Sequence, residues 1–266
     1  MSLRLNTPRM HAEQKDGIGW MTFNHPERHN ALSLEMWQAM GDILEHFAQD
    51  DEVRVIIMRG AGNKAFVSGA DISEFDEKRA NAAQRAHYGK IAGRATDWLN
   101  KIEKPLLALV QGYCIGGGLA TALAADVRFA TPESRFSIPA AKLGLGYEFE
   151  GLAKLARIVG PSRARDIMFS ARLLPSDEAL SMGLINFIYP ESDIEQACIA
   201  YARSIAENAP LTLRAAKASL NAWEHNSDPA EQARVRELID DCFDSEDYRE
   251  GRAAFAARRK PDFVGR

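Results

Sequence analysis

The sequence predicts an α/β protein, with strands and helices alternating over its first 190 residues and helices almost alone after that. Two observations carry this expectation. Short apolar runs rich in leucine and β-branched residues stand at 53–59 and 106–111, each leading through a glycine-bearing turn toward a segment whose apolar residues have helical spacing. From about residue 191 no further strand-like run occurs, and Pro210 and Pro229 stand where helices can begin. Strand, turn and helix in repeated order favour a layered architecture that holds ligands where strand ends meet helix N-termini.

Taken in order, residues 17–24 alternate apolar and polar, the period of a half-buried strand. His25-Pro26 then turns the chain toward an amphipathic helix at about 33–47. The runs at 53–59 and 106–111 are rich in Leu or β-branched residues and bounded by Gly, Pro and charge, as expected of strands covered on both faces. Between them, residues 81–101 carry helical spacing. A shorter strand at 127–130 follows the helix that opens at the glycine run 116–118. The resulting division is an α/β core at 1–190 and a C-terminal helical region at 191–266, without internal repeats or low-complexity tracts.

Composition narrows the function classes. With 266 residues, 46% of them hydrophobic and 26% charged, the chain can bury a large core and is neither disordered nor fibrous. A net charge of −4 argues against a nucleic-acid binder, and the apolar runs are too short to span a membrane. The first 15 residues lack the apolar core of a secretory signal, so a cytoplasmic location is expected. Cys114, Cys198 and Cys242 are isolated, which argues against a disulfide framework or a metal site, and Cys114 is expected to be a buried packing residue. Neither Gly60-x-Gly62 nor Gly144-x-Gly146 completes a nucleotide-binding motif, so no separate cofactor is expected.

Two segments carry the chemistry. Ser68-Gly69-Ala70-Asp71-Ile72 and Gly112-Tyr113-Cys114-Ile115-Gly116-Gly117-Gly118 each follow a strand-like run and open a helix-like one. Each can therefore aim free backbone N–H groups at an anion or a polarised carbonyl oxygen. Together they have the form of an oxyanion hole.

Around them stand, in order, Asn24-His25-Pro26-Glu27-Arg28-His29-Asn30-Ala31-Leu32, Lys64-Ala65-Phe66-Val67-Ser68, Lys104-Pro105, Gly160-Pro161-Ser162, residues 179–184 and Glu250-Gly251-Arg252-Ala253-Ala254-Phe255. Over nearly its full length this series resembles the crotonase superfamily, the enoyl-CoA hydratase/isomerase family. The resemblance implies a spiral of ββα turns with a C-terminal helical trimerisation region, assembled as a homotrimer or homohexamer, and an acyl-CoA thioester as substrate, with coenzyme A part of that substrate. It assigns the N–H groups of Ala70 and Gly117 to the thioester carbonyl. It also assigns coenzyme A contacts to Arg28, His29, Lys64, Ala65, Phe66, Ser68, Asp71 and Ile72, with Asp71 ordering the turn. Phe255 and Arg258 are expected to complete a neighbouring subunit's pocket, or to belong to an ordinary solvated helix end. Residues 73–95 are expected to wall the acyl pocket.

The chain departs from the family's hydratases at both catalytic carboxylates. Hydration needs one group to activate water and another to protonate the α-carbon. The positions that carry glutamates in those hydratases are Ala120 and Ala140 here. Glu148 falls where several isomerases of the family place a catalytic Asp or Glu. Its position between Tyr147 and Phe149 suggests a partly desolvated carboxylate. Glu150 suits solvated capping of the following helix. The favoured reaction is double-bond isomerisation with Glu148 as acid and base. A hydratase-like lyase, an acyl-CoA decarboxylase or hydrolase, and a non-catalytic acyl-CoA binder are the alternatives.

Overall fold

A computed structural model describes residues 3–74, 81–225 and 227–266. Strands β1 (Met10–Lys15) and β2 (Ile18–Phe23) form a hairpin ahead of helix α1 (Leu34–Gln49). Only one strand was expected there. The hairpin loop is Asp16-Gly17, both at positive φ (52° and 77°), as a two-residue type I′ turn requires.

Three further units repeat the pattern. Strands β3 (Val55–Gly60) and β4 (Ala65–Val67) lead to α2 (Ala82–Lys101), and β5 (Leu106–Val110) and β6 (Tyr113–Ile115) lead to α3 (Gly117–Leu123). Strands β7 (Val127–Ala130) and β8 (Arg135–Ser137) lead to α4 (Phe149–Val159). From the second unit on, the first strand joins one sheet and the second strand joins another, so the chain climbs as a spiral of ββα turns. With the two-residue strands β9 (Leu174–Pro175) and β10 (Phe187–Ile188), the sheet orders are β1-β2-β3-β5-β7-β10 and β4-β6-β8-β9. Pairing is parallel except at β1–β2 and β8–β9.

The apolar runs behave as strands covered on both faces. Ile56, Met58, Leu106, Ala108 and Val110 enter the main core with Phe23, Phe47, Phe66 and Phe136. Their neighbours Val55, Ile57, Leu107 and Leu109 face the other way, into a second core with Trp20 and Phe129. That second core is covered by α7 (Ile194–Ala206) through Ile194, Cys198 and Ala202. Helices α5 (Pro161–Ser170) and α6 (Ser176–Ser181) lie between α4 and α7 in the chain. After α7 come α8 (Pro210–Glu224), α9 (Pro229–Asp244) and α10 (Glu246–Ala257), with Pro210 and Pro229 in the first turns of their helices. None of the described helices is long and apolar enough to cross a membrane.

The smaller sheet is drawn together by glycine. A β-carbon on Gly112 would lie 2.0 Å from the carbonyl oxygen of Lys64, and one on Gly118 would lie 2.1 Å from that of Val67. Both contacts are with backbone, which cannot swing aside. Gly118→Ala is therefore expected to lower unfolding free energy by about 3 kcal/mol. On α2, Gly89 has nothing within 4 Å of its β position, and Gly89→Ala is expected to add about 0.5–1 kcal/mol. Urea unfolding midpoints of the two variants check both signs.

Candidate active site

Beyond β4 the chain hydrogen-bonds to the segment that precedes α1. Ser68 N–H donates to His29 O (3.1 Å), Leu32 N–H to Gly69 O (2.8 Å) and Asp71 N–H to Leu32 O (2.9 Å). In this parallel bridge Leu32 uses both of its backbone groups, so the N–H and C=O of Ala70 point away from it. Asp71 Oδ1 accepts from Ser73 N–H (3.0 Å) and from Ser73 Oγ (2.6 Å). Burial pushes the Asp71 carboxyl up, but the Ser73 hydrogen bonds and the charges of Arg28 and His25 outweigh it and hold the group below its ordinary value. Glu74 Oε2 accepts from Leu34 N–H (2.9 Å) and Ser33 Oγ from Met36 N–H (3.3 Å), which ties this loop to the first turn of α1.

The second half begins at the end of β6. Gly116 has φ 54° and ψ −117°, a conformation reserved for glycine, and its N–H donates to Ser137 O (2.8 Å). The bend makes Gly117 the first residue of α3, where the N–H has no acceptor within the helix. A β-carbon on Gly117 would lie 3.9 Å from Ala70 N and 3.9 Å from Trp37 Cζ2. The space above Gly117 thus opens onto the Ala70 amide, with an indole at its edge. Both residues are half-buried, and the positive end of α3 faces that space.

Arg28, His29, Ser68, Asp71 and Ile72 gather around Ala70. Asn30 locks their turn: its Oδ1 accepts from His25 N–H (2.8 Å) and its Nδ2 donates to Ala65 O (2.7 Å) and Ala61 O (3.1 Å). Arg28, His29, Lys64 and Ile72 are exposed. Ala65 and Phe66, expected to contact coenzyme A, are instead buried in the core, Phe66 edge-on to Phe23, and expose almost no surface to a ligand. Phe255 projects almost fully into solvent from α10, at an apolar cavity of about 650 Å³ shared with Phe243, Tyr248 and Phe263. Arg258 ends α10 in the left-handed region at φ 53°.

Glu148 is the N-cap residue of α4, exposed, with no capping hydrogen bond from its side chain. The desolvation expected of it falls on Tyr147 instead. The Tyr147 ring lies over Gly151, whose β position is 2.9 Å from Tyr147 Cε1, and burial pushes the phenol up to about 12. Ala120 is half-buried one turn into α3, and Ala140 is buried, its carbonyl accepting from Leu145 N–H (3.0 Å). Cys114 is buried as expected, which pushes its thiol up and away from reactivity.

Trp37 was not anticipated at the site, and Glu74 only as a member of the 73–95 segment expected to wall the acyl pocket. Trp37 was legible only as part of an amphipathic helix, and no sequence signal pairs Glu74 with Leu34. Part of the expected acyl wall, residues 75–80, lies outside the described residues. Among the described residues, no group of three or more His, Cys, Asp or Glu is placed to hold a metal ion.

Residues 13–266 match a family model described as enoyl-CoA hydratase/isomerase. A short-chain-enoyl-CoA hydratase of Clostridium acetobutylicum is 32% identical, over 93% of this chain and 94% of its own. A crotonyl-CoA hydratase of Syntrophomonas wolfei is 28% identical over 96% and 97%. Among solved structures, an enoyl-CoA hydratase/carnithine racemase from Magnetospirillum magneticum has a TM-score of 0.91 at 34% identity, covering 98% of this chain and 97% of that one. An enoyl-CoA hydratase from Bacillus anthracis has a TM-score of 0.89 at 26% identity, covering 97% and 100%.

The Tyr147 phenol gives the site region a pH signature. Unfolded, it titrates near 10.0, and folded near 12. Between those values the unfolded chain releases a proton that the folded chain keeps, so stability falls as pH rises through the window. Tyr147→Phe is expected to flatten that fall, measured as unfolding free energy against pH, and to remove one late-titrating phenol from an alkaline absorbance titration.

Proposed function

This chain belongs to the enoyl-CoA hydratase/isomerase family, and on that premise we propose that it shifts the double bond of an enoyl-CoA whose thioester carbonyl is held between the N–H groups of Ala70 and Gly117. The observation that carries the reading is the convergence of two backbone donors without intramolecular acceptors, one directed away from Leu32 and the other at the start of α3. Aimed at a carbonyl oxygen that gains charge, each is worth on the order of 3 kcal/mol.

In this mechanism a base removes the α-proton of a 3-enoyl thioester, and the electron pair spreads through the dienolate onto the oxygen in the hole. The same group then returns the proton to the γ-carbon, and the double bond ends conjugated with the carbonyl. No water is added. Ala120 and Ala140 offer methyl groups where two-carboxylate hydration requires acids. Glu148 is assigned the proton because its helix α4 packs against α3, and because its carboxylate makes no capping hydrogen bond among the described residues. The exposed cations Arg28, His29 (when protonated) and Lys64 suit the phosphates of coenzyme A, with Ser68, Asp71 and Ile72 shaping the groove. Apolar residues exposed on α8–α10, Phe243 and Phe255 among them, support association of subunits through that region.

A second reading, hydration, is favoured by the names of the relatives from Clostridium acetobutylicum and Syntrophomonas wolfei. It requires an acid other than residues 120 and 140. Turnover of matched 2-enoyl- and 3-enoyl-CoA substrates separates the two. Isomerisation is expected, with Glu148→Gln lowering kcat at least about 100-fold. Gly117→Pro deletes one donor at a helix position that tolerates proline, and is expected to lower kcat by about 10²–10³-fold. Robust hydration that survives Glu148→Ala overturns the isomerase reading.

A further inference from the structure

Trp37 borders the space between the two donors: its Cζ2 and the Ala70 nitrogen are both 3.9 Å from the β position of Gly117. The indole Nε1 is sealed from solvent and has no hydrogen-bond acceptor among the described residues. A buried N–H without a partner is unfavourable, so the ring is held there by shape and not by a polar contact. Its backbone is fixed on both sides. Toward the N-terminus of α1, Ser33 and Glu74 accept the first free N–H groups. One turn toward the C-terminus, α1 crosses α2 at Gly41, where a β-carbon would lie 2.9 Å from Arg94 Nη1 and 3.7 Å from Ala95 Cα. Arg94 clamps that crossing through Asp42 (2.6 Å) and Glu45 (2.5 Å).

We propose that Trp37 is the specificity-determining wall of the thioester site, excluding acyl groups branched at the α-carbon. This rests on the placement of the thioester carbonyl between Ala70 and Gly117. With the oxygen in hydrogen-bond reach of both amides, the two atoms bonded to the carbonyl carbon lie within a few ångströms of the indole edge. One of them is sulfur, which is the same in every coenzyme A ester. The other is the α-carbon, so the bulk that differs between substrates next to the carbonyl is its substituents. A rigid ring on a helix fixed on both sides of it cannot yield to a methyl group as a flexible side chain does.

Binding of saturated thioesters tests the wall without depending on which reaction is catalysed. Calorimetric titration of wild type, Trp37→Phe and Trp37→Ala with butyryl-CoA and isobutyryl-CoA reads discrimination against one α-methyl branch. Wild type is expected to bind isobutyryl-CoA about tenfold more weakly than butyryl-CoA, the scale of a misplaced methyl group. Trp37→Ala is expected to bring the two within about twofold, and Trp37→Phe to fall between. Trp37→Phe deletes an N–H that has no acceptor and so loses no hydrogen bond, which makes it the variant that keeps the fold. In addition, butyryl-CoA is expected to change tryptophan emission in wild type and not in Trp37→Phe, which retains Trp20, Trp98 and Trp223. Equal binding of the two esters by wild type, or discrimination undiminished in Trp37→Ala, overturns the proposal. If neither ester binds wild type, the thioester reading fails and this wall with it.

Discussion

The site depends on how closely two backbone segments approach each other. Gly112 and Gly118 sit where any side chain would strike the carbonyls of Lys64 and Val67, so β4, β6 and the start of α3 can pack at backbone distance. That approach sets the ends of β4 and β6 side by side, and the residues just beyond them, Ala70 and Gly117, present their amides to one space. Strand pairing leaves the register irregular between Ala65 and Val67, where the chain adjusts before it reaches the hole. Neither donor belongs to a side chain. Their positions are therefore a property of the sheet and its glycines, which resist change more than a rotamer does.

Electrostatics reinforce the same geometry. Helix α3 is only seven residues long, and both of its ends are handled by specific groups. Thr121 Oγ1 donates to Gly117 O (2.9 Å), so that carbonyl is satisfied while the adjacent N–H stays free. Just past the C-terminal end, the buried guanidinium of Arg128 donates to Ala125 O and to Leu184 O. Burial lowers the Arg128 pKa to about 10, which still leaves it charged near neutrality. A cation there complements the negative end of the helix and adds positive potential along its axis toward the hole.

Much of this was legible in the sequence, because backbone sites are written in glycines and turn residues. The segments around Ala70 and Gly117, the strands at 53–59 and 106–111 and the helix starts at Pro210 and Pro229 all follow from local chemistry. Strand β1 was not read, since its MHAEQK sequence is mostly polar and is stabilised by pairing with β2 through the Asp16-Gly17 turn. Trp37 was not read as part of the site because its place beside Gly117 depends on how α1 packs in the folded chain. Burial at Tyr147 in place of Glu148 was equally hidden. Adjacent residues at a helix start point in different directions, and only the packing of α4 decides which one faces inward.

That last difference bears on the role proposed for Glu148. Its exposed position at the N-terminus of α4 leaves the carboxylate in contact with water. Full hydration, however, weakens a base, because water stabilises the charge that proton transfer removes. The residues around Glu148 carry the remedy: Leu143, Leu145 and Phe149 are 60%, 50% and 77% exposed, an unusual concentration of apolar surface beside one carboxylate. A substrate acyl group or a second subunit that covers them removes water from Glu148 at the same time, and desolvation raises the proton affinity of a carboxylate. In the role proposed for Glu148, covering these neighbours and desolvating the carboxylate are one event, which would couple proton abstraction to the enclosure that protects an enolate from solvent.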